Sequence, residues 1–253
     1  MTTDIAAMTR RGVTLMFRSP MTLSTSAFMP IILLLLLSVS FGAVVMPAAG
    51  VSDYVQFATP LFVTMGVVFG SISTAIAAQQ DRISGFDDRL RTLPISPVAP
   101  LAGRIIADVG RNLVTLLLVS VVAMAMGFRF DNGIVGVGVY VVLPLVFGFG
   151  VAWFMVAVAM VADSAESTAS LLNAVLLVLS FLSTGMVPID DLPGWAQPVA
   201  SANPISHIVE AMRSATTSGA SVVGADAIVT VAWSAGLTVV CGYLAVRAYR
   251  RAR

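Results

Sequence analysis

Apolar residues run along the chain in six long blocks, near 23–46, 55–79, 107–127, 134–161, 168–187 and 226–246, separated by short polar or Pro- and Gly-containing segments. A helix needs about 20 mainly apolar residues to cross the hydrocarbon core of a bilayer, and each block is about that long. Because lipid offers no partner to an open backbone, the pattern predicts an all-α integral membrane protein: one transmembrane domain over 1–253, with six transmembrane helices and both termini on one side. The first block is long and five more come after it, so Pro47-Ala48-Ala49-Gly50 reads as a loop and not as a leader cleavage site.

Three amphipathic segments interrupt this pattern. In residues 3–19, Ile5, Met8, Leu15 and Met16 recur at helical spacing opposite Arg11, Thr14 and Arg18, and Pro20 ends the run. This predicts an interfacial helix on the inner leaflet, its arginines toward anionic headgroups. Between the second and third blocks, Ser84 and Asp87 have the form of a capping box, and Pro94 closes the segment. A short helix over Gly85 to Thr92 would present Phe86, Leu90 and Leu93 as an apolar edge flanked by Arg82, Asp87, Asp88 and Arg89, the layout of a surface that docks on a partner. Between the fifth and sixth blocks, Trp195 precedes Asn203 as a cap and Pro204 as a first helical residue. The helix they start carries Ile205, Ile208, Val209 and Met212 on one face and His207, Glu210 and Arg213 on the other, and is expected to lie flat on the outer interface. His207 is the only histidine and has no companions at metal-ligand spacing, which predicts a surface polar role and no metal site.

Polar positions inside the apolar blocks form two sets. Gly66, Gly70, Thr74 and Ala78, four apart, make a small-residue ladder that lets another helix approach closely. Glu166, Ser170, Asn173, Ser180 and Thr184 fall on one stripe of the fifth block, with Leu172, Leu176 and Leu179 pointing elsewhere. Such a stripe is not expected to face lipid, which leaves two uses, hydrogen bonding between helices or the lining of a substrate path. Arg104, Asp108 and Arg111, at i, i+4 and i+7, are expected to pair along one face where the third block enters the membrane.

Composition sharpens this picture. The chain is 58% hydrophobic and 11% charged, with a mean hydropathy of +0.95 and a net charge of +1, so no global field attracts nucleic acid. Every basic residue is an arginine, and without a lysine the chain cannot build the phosphate-binding loop of a P-loop ATPase. Arg10, Arg11, Arg18, Arg82, Arg89, Arg91, Arg104, Arg111, Arg247, Arg250, Arg251 and Arg253 fall on one side of the predicted spans, and only Arg129 and Arg213 on the other. The twelve-to-two bias makes the termini and the 80–104 loop cytoplasmic. No Gly-x-Ser-x-Gly or His-Glu-x-x-His motif occurs, so no enzyme is predicted. Cys241 lies in an apolar run and reads as a packing residue.

Taken together, Gly85-Phe86-Asp87-Asp88-Arg89-Leu90-Arg91-Thr92-Leu93-Pro94-Ile95-Ser96, Gly103-Arg104, Ala107-Asp108, Val187-Pro188, Leu192-Pro193-Gly194-Trp195, Asn203-Pro204 and Ala211-Met212-Arg213 resemble the ABC type-2 permease family, most closely its daunorubicin and doxorubicin resistance branch. Arg18-Pro20, Pro30 and the turn Ser164-Ala165-Glu166-Ser167 also look like the family pattern. The resemblance implies the permease subunit of an ATP-driven exporter in a bacterial plasma membrane. It implies a homodimer or related heterodimer seated on a separate cytoplasmic ATPase, no cofactor bound by this chain, and ATP and magnesium held by that ATPase. By the same likeness the 85–93 segment is the coupling helix, and the cargo is an amphipathic drug or lipid moved outward. The motifs serve architecture and coupling, so the cargo does not follow from them. An ion-gradient-driven carrier and a non-transporting membrane subunit are the alternatives.

Overall fold

A computed structural model describes residues 2–18, 20–45, 51–85, 99–162 and 164–251, and among them the regular structure is helical, with no strand. In chain order the α-helices are α1 (Thr2–Arg18), α2 (Pro20–Val45), α3 (Val51–Ile83), α4 (Ala99–Ala125), α5 (Gly133–Val161), α6 (Ala165–Phe181), α7 (Gln197–Ala202), α8 (Pro204–Thr216) and α9 (Ala225–Arg251). A short 3-10 turn at Ile189–Asp191 precedes α7. Four helices, α3, α4, α5 and α9, are long and apolar enough to cross a membrane, and α2 and α6 contain the shorter apolar stretches Ser26–Ser40 and Ser167–Phe181. The expected short helix over 85–92 falls almost wholly outside the described residues. Only its first residue is seen: α3 closes with Ser84 N–H donating to Gln80 O and Gly85 at φ 69°, a left-handed C-terminal turn that glycine adopts at no steric cost.

Helix α3 is the axis of the bundle. It packs against α2, α4, α5, α6 and α8, and Tyr54, Val55, Leu61, Phe62, Val63 and Val68 along it are fully buried. Its neighbours run alternately. Gln56 near its start holds the backbone of Arg129 in the α4–α5 loop through bonds of 2.8 and 3.0 Å, while Asp81 near its end pairs with Arg104 at the start of α4. Arg11, Arg82 and Arg104 therefore share one end of the bundle, and Arg129 and Arg213 the other, as their separation along the sequence predicts. A second core joins α5 to α9, where the Trp153 ring lies 3.5 Å from a Cβ placed on Gly242.

Two of the amphipathic segments depart from expectation. Helix α1 does not simply float on a leaflet. Met8 lies against Gly103 and Gly12 against Ala107, so close that a Cβ on Gly103 would sit 2.5 Å from Met8 Cβ and 2.9 Å from the Thr9 nitrogen. Arg11, expected to face headgroups, pairs with Asp81 at 3.3 Å. Helix α8 turns its apolar face into the bundle and not toward lipid. Ile205, Ile208, Val209 and Met212 are buried in the main core against α3, α5 and α9, because its flank carries small residues that admit close approach, the carbonyl of Ala215 reaching Gly136. The α8 helix thus plugs the bundle end.

The α1 seat yields a direct test. Overfilling a close helix crossing costs about 1–3 kcal/mol, so Gly103→Leu is expected to release α1 and speed tryptic cleavage at Arg10 and Arg11 roughly tenfold or more in solubilised protein. Gly110→Ala, where a Cβ meets nothing within 4 Å, should leave the rate unchanged.

Candidate coupling and transport site

At the arginine-rich end, side chains from the last turn of α3 tie the bundle together. Asp81, about one-fifth exposed, takes both Arg104 of α4 and Arg11 of α1. Arg82, next in sequence, turns the other way: its guanidinium donates to Met160 O and, at 3.4 Å, to Ala162 O, the open carbonyls at the C-terminus of α5. Gln79 adds a bond of 3.0 Å to Ala162 O. Arg82, read from sequence as part of a docking surface, is thus committed inside the chain, and Gly85 marks where α3 ends. Phe86, Asp87, Asp88, Arg89, Leu90 and Leu93 lie outside the described residues. Beyond Ala162, Ser164 caps α6, its hydroxyl oxygen accepting from Ser167 N at 3.2 Å.

Deeper in the bundle lies a buried charge. Asp108 and Arg111 of α4 are 4% and 6% exposed and form an ion pair one helical turn apart. Ser71 and Thr74 of α3 donate to the two oxygens of Asp108 at 3.0 and 2.7 Å, and Arg111 also donates to Ser73. Buried charges need this degree of pairing, since an ion in a low-dielectric interior is otherwise costly. The small-residue ladder of α3 makes room for it. A Cβ on Gly70 would meet the Arg111 guanidinium and Asn112 Oδ1 at 3.3 Å, and one on Gly66 would meet Thr115 at 2.8 Å. Gly66, Gly70 and Thr74 therefore face α4, and Gly148 of α5 gives way to Val67 and Asn112 from the third side. Sequence spacing set Arg104, Asp108 and Arg111 to pair along one face; the Asp108–Arg111 pair forms, whereas Arg104 reaches out to Asp81, because Asp108 points inward to α3. Sequence reasoning did not single out Ser71, Ser73, Gln79, Asp81, Asn112 or Thr115. A signal for part of this set exists, since Asp108, Asn112 and Thr115 share one face of α4 at i, i+4 and i+7.

The polar stripe of α6 is split. Leu172 and Leu176 bury themselves against the α3 core, leaving Ser170 and Asn173 on the exposed surface among Leu171, Val175, Leu177 and Val178. Ser180 and Thr184 are buried, because the far end of α6 is covered by α3 and α8 and Gly185 abuts Leu61. Glu166 lies in the first turn of α6.

At that far end α8 holds the carbonyls that α6 leaves open. Asn203 caps α8 by accepting from Ile205 N at 2.9 Å, with Pro204 following as the first helical residue, and its amide donates to Leu179 O and Leu182 O at 2.7 and 3.1 Å. Arg213 stacks 3.7 Å from the centre of the Phe57 ring, donates to Phe57 O and Thr184 O at 3.2 Å, and pairs with Glu210 at 2.6 Å. Burial pulls the Arg213 guanidinium below its usual value, and Glu210 opposes that shift. His207 pairs with Asp226 of α9 at 2.8 Å, whereas Trp195 stands 70% exposed. No cluster of metal-ligating side chains occurs among the described residues.

A bundle with four helices long and apolar enough to cross a membrane, and with paired charge buried between them, has the architecture of a polytopic membrane protein. The ABC-2 type transporter family matches residues 3–216, and the chain belongs to that family. It is 34% identical over 231 residues to the daunorubicin resistance ABC transporter permease protein DrrB1 of Streptomyces coeruleorubidus, covering 91% of this chain and 80% of that one. It is 30% identical over 247 residues to the probable doxorubicin resistance ABC transporter permease protein DrrC of Mycobacterium tuberculosis, covering 96% and 87%. A putative transport permease, ycf38, of Porphyra purpurea is 23% identical over 218 residues, covering 83% and 72%.

Proposed function

We infer that this chain is the permease subunit of an ATP-driven exporter that moves an amphipathic drug or lipid outward. In this reading α2, α3, α4, α5, α6 and α9 all span the plasma membrane, and the arginine-rich end with both termini is cytoplasmic. A separate ATPase, which carries the ATP and magnesium, docks on the 85–93 segment beyond α3. The observation that carries the reading is α6. It packs almost wholly on α3, and its outer face sets Ser170 and Asn173 among apolar side chains, an arrangement disfavoured against lipid. A second copy of this chain covers that face, and the polar groups line the path between the two copies. The drug-resistance permeases among its relatives support an amphipathic cargo.

The test is ATP-dependent accumulation of doxorubicin by inside-out vesicles that contain the chain with its ATPase. Truncating buried anchors of a docking surface typically costs about 2 kcal/mol or more, so Phe86→Ala with Leu90→Ala should lower ATPase retention roughly thirtyfold and abolish accumulation while the chain still inserts. Accumulation that ignores ATP and collapses with a protonophore would instead support the ion-driven carrier.

A further inference from the structure

We propose that Arg82, assisted by Gln79, is the positioning residue through which movement of the segment after α3 is delivered to the start of α6. The proposal rests on the exporter reading, in which an ATPase docks on that segment. Helix α3 ends at Ile83, so Arg82 lies in its final turn, immediately before the docking segment. Its guanidinium caps another helix, donating to Met160 O and Ala162 O. These are carbonyls that a helix C-terminus cannot satisfy itself, and a cation there also meets the negative end of the helix dipole. Gln79, fully buried one turn earlier on the same face, donates to the same Ala162 O, while its own Oε1 has no partner among the described residues.

What Arg82 holds is a junction and not merely an end. Ala162 is the C-cap of α5, with extended backbone at φ −84° and ψ 148°, and Ser164, two residues on, is the N-cap of α6. Helix α6 has few contacts with α5 and hangs on α3, and at this end the turn that Arg82 and Gln79 grip adds a second tie to the last turn of α3. The neighbouring Asp81 serves α1 and α4 and has no part in this link. If the last turn of α3 tilts, the α5–α6 turn must move with it or leave buried donors and carbonyls unpaired. The adjacent residues Asp81 and Arg82 thus divide one displacement between two halves of the bundle, and Arg82 sends its share to the helix whose outer face forms the transport path.

The experiment uses the complex of the chain with its ATPase in lipid nanodiscs, in a Cys241→Ala background with a polarity-sensitive fluorophore on Ala174→Cys of α6. Trapping the ATPase with ATP and vanadate is expected to change the emission in the parent, and Arg82→Ala to reduce that change at least fivefold with the ATPase still bound. Arg82→Lys, which can still donate to one carbonyl, should restore part of the response, and Gln79→Leu should fall between. Should Arg82→Ala fold poorly, Arg82→Lys and Gln79→Leu carry the same ordering. A response per folded complex equal to the parent's, with only the melting temperature lowered, overturns the proposal, for that is what a purely structural contact gives. Absence of ATPase binding or of any ATP response in the parent overturns the exporter reading beneath it.

Discussion

Arg111→Met alone is expected to destabilise the protein far more than removal of the whole ion pair by Asp108→Asn with Arg111→Met. The single variant leaves the Asp108 carboxylate 4% exposed in the bundle with only the hydroxyls of Ser71 and Thr74 and the Asn112 amide for company. Breaking a buried pair from one side costs about 3–5 kcal/mol, whereas replacing both members by neutral groups of similar size is often close to neutral. In the double variant Ser71 or Thr74 can still donate to the carbonyl oxygen of the new amide, so most of the loss should be recovered. Thermal unfolding of solubilised protein, run as a double-mutant cycle, checks this. Additive losses would mean that the two side chains act independently.

The second large effect is expected at Arg213. Its fork holds Phe57 O, Thr184 O and Glu210 at once while its plane lies on the Phe57 ring, a geometry that a lysine's point charge cannot reproduce. Hydrogen bonds to a charged group contribute about 1.5–3 kcal/mol, and a desolvated cation on an aromatic face roughly 2 more. Arg213→Lys should therefore lose most of the stability that Arg213→Ala loses, and both should loosen the α6–α8 contact, since Thr184 O loses its donor. Reactivity of a thiol at buried Ser206→Cys, measured in a Cys241→Ala background, should rise in both variants. Parent-like melting and thiol protection in Arg213→Lys would mean that the fork geometry contributes nothing.

Much of this architecture was written locally. Apolar block length placed the long helices because spanning length is a property of consecutive residues, and α5 matches its block to within a residue. The caps were equally legible: Asn203 followed by Pro204 has one local meaning, and the structure gives it that meaning. The sorting of arginines to two ends needed only the order of the spans. What periodicity could not decide was which side of a helix turns toward protein, since a bilayer is as apolar as a protein core and an apolar face can be seated against either. Leu172 and Leu176 on α6 therefore face α3 while Ser170 and Asn173 face out, and the apolar face of α8 enters the core instead of resting on a leaflet. Partner choice was tertiary for the same reason. Spacing offered Asp108 both Arg104 and Arg111, but the bundle turns Asp108 inward to Ser71 and Thr74, where it keeps Arg111 and leaves Arg104 to Asp81, because a polar atom shut away from water must take the partner that packing puts within reach.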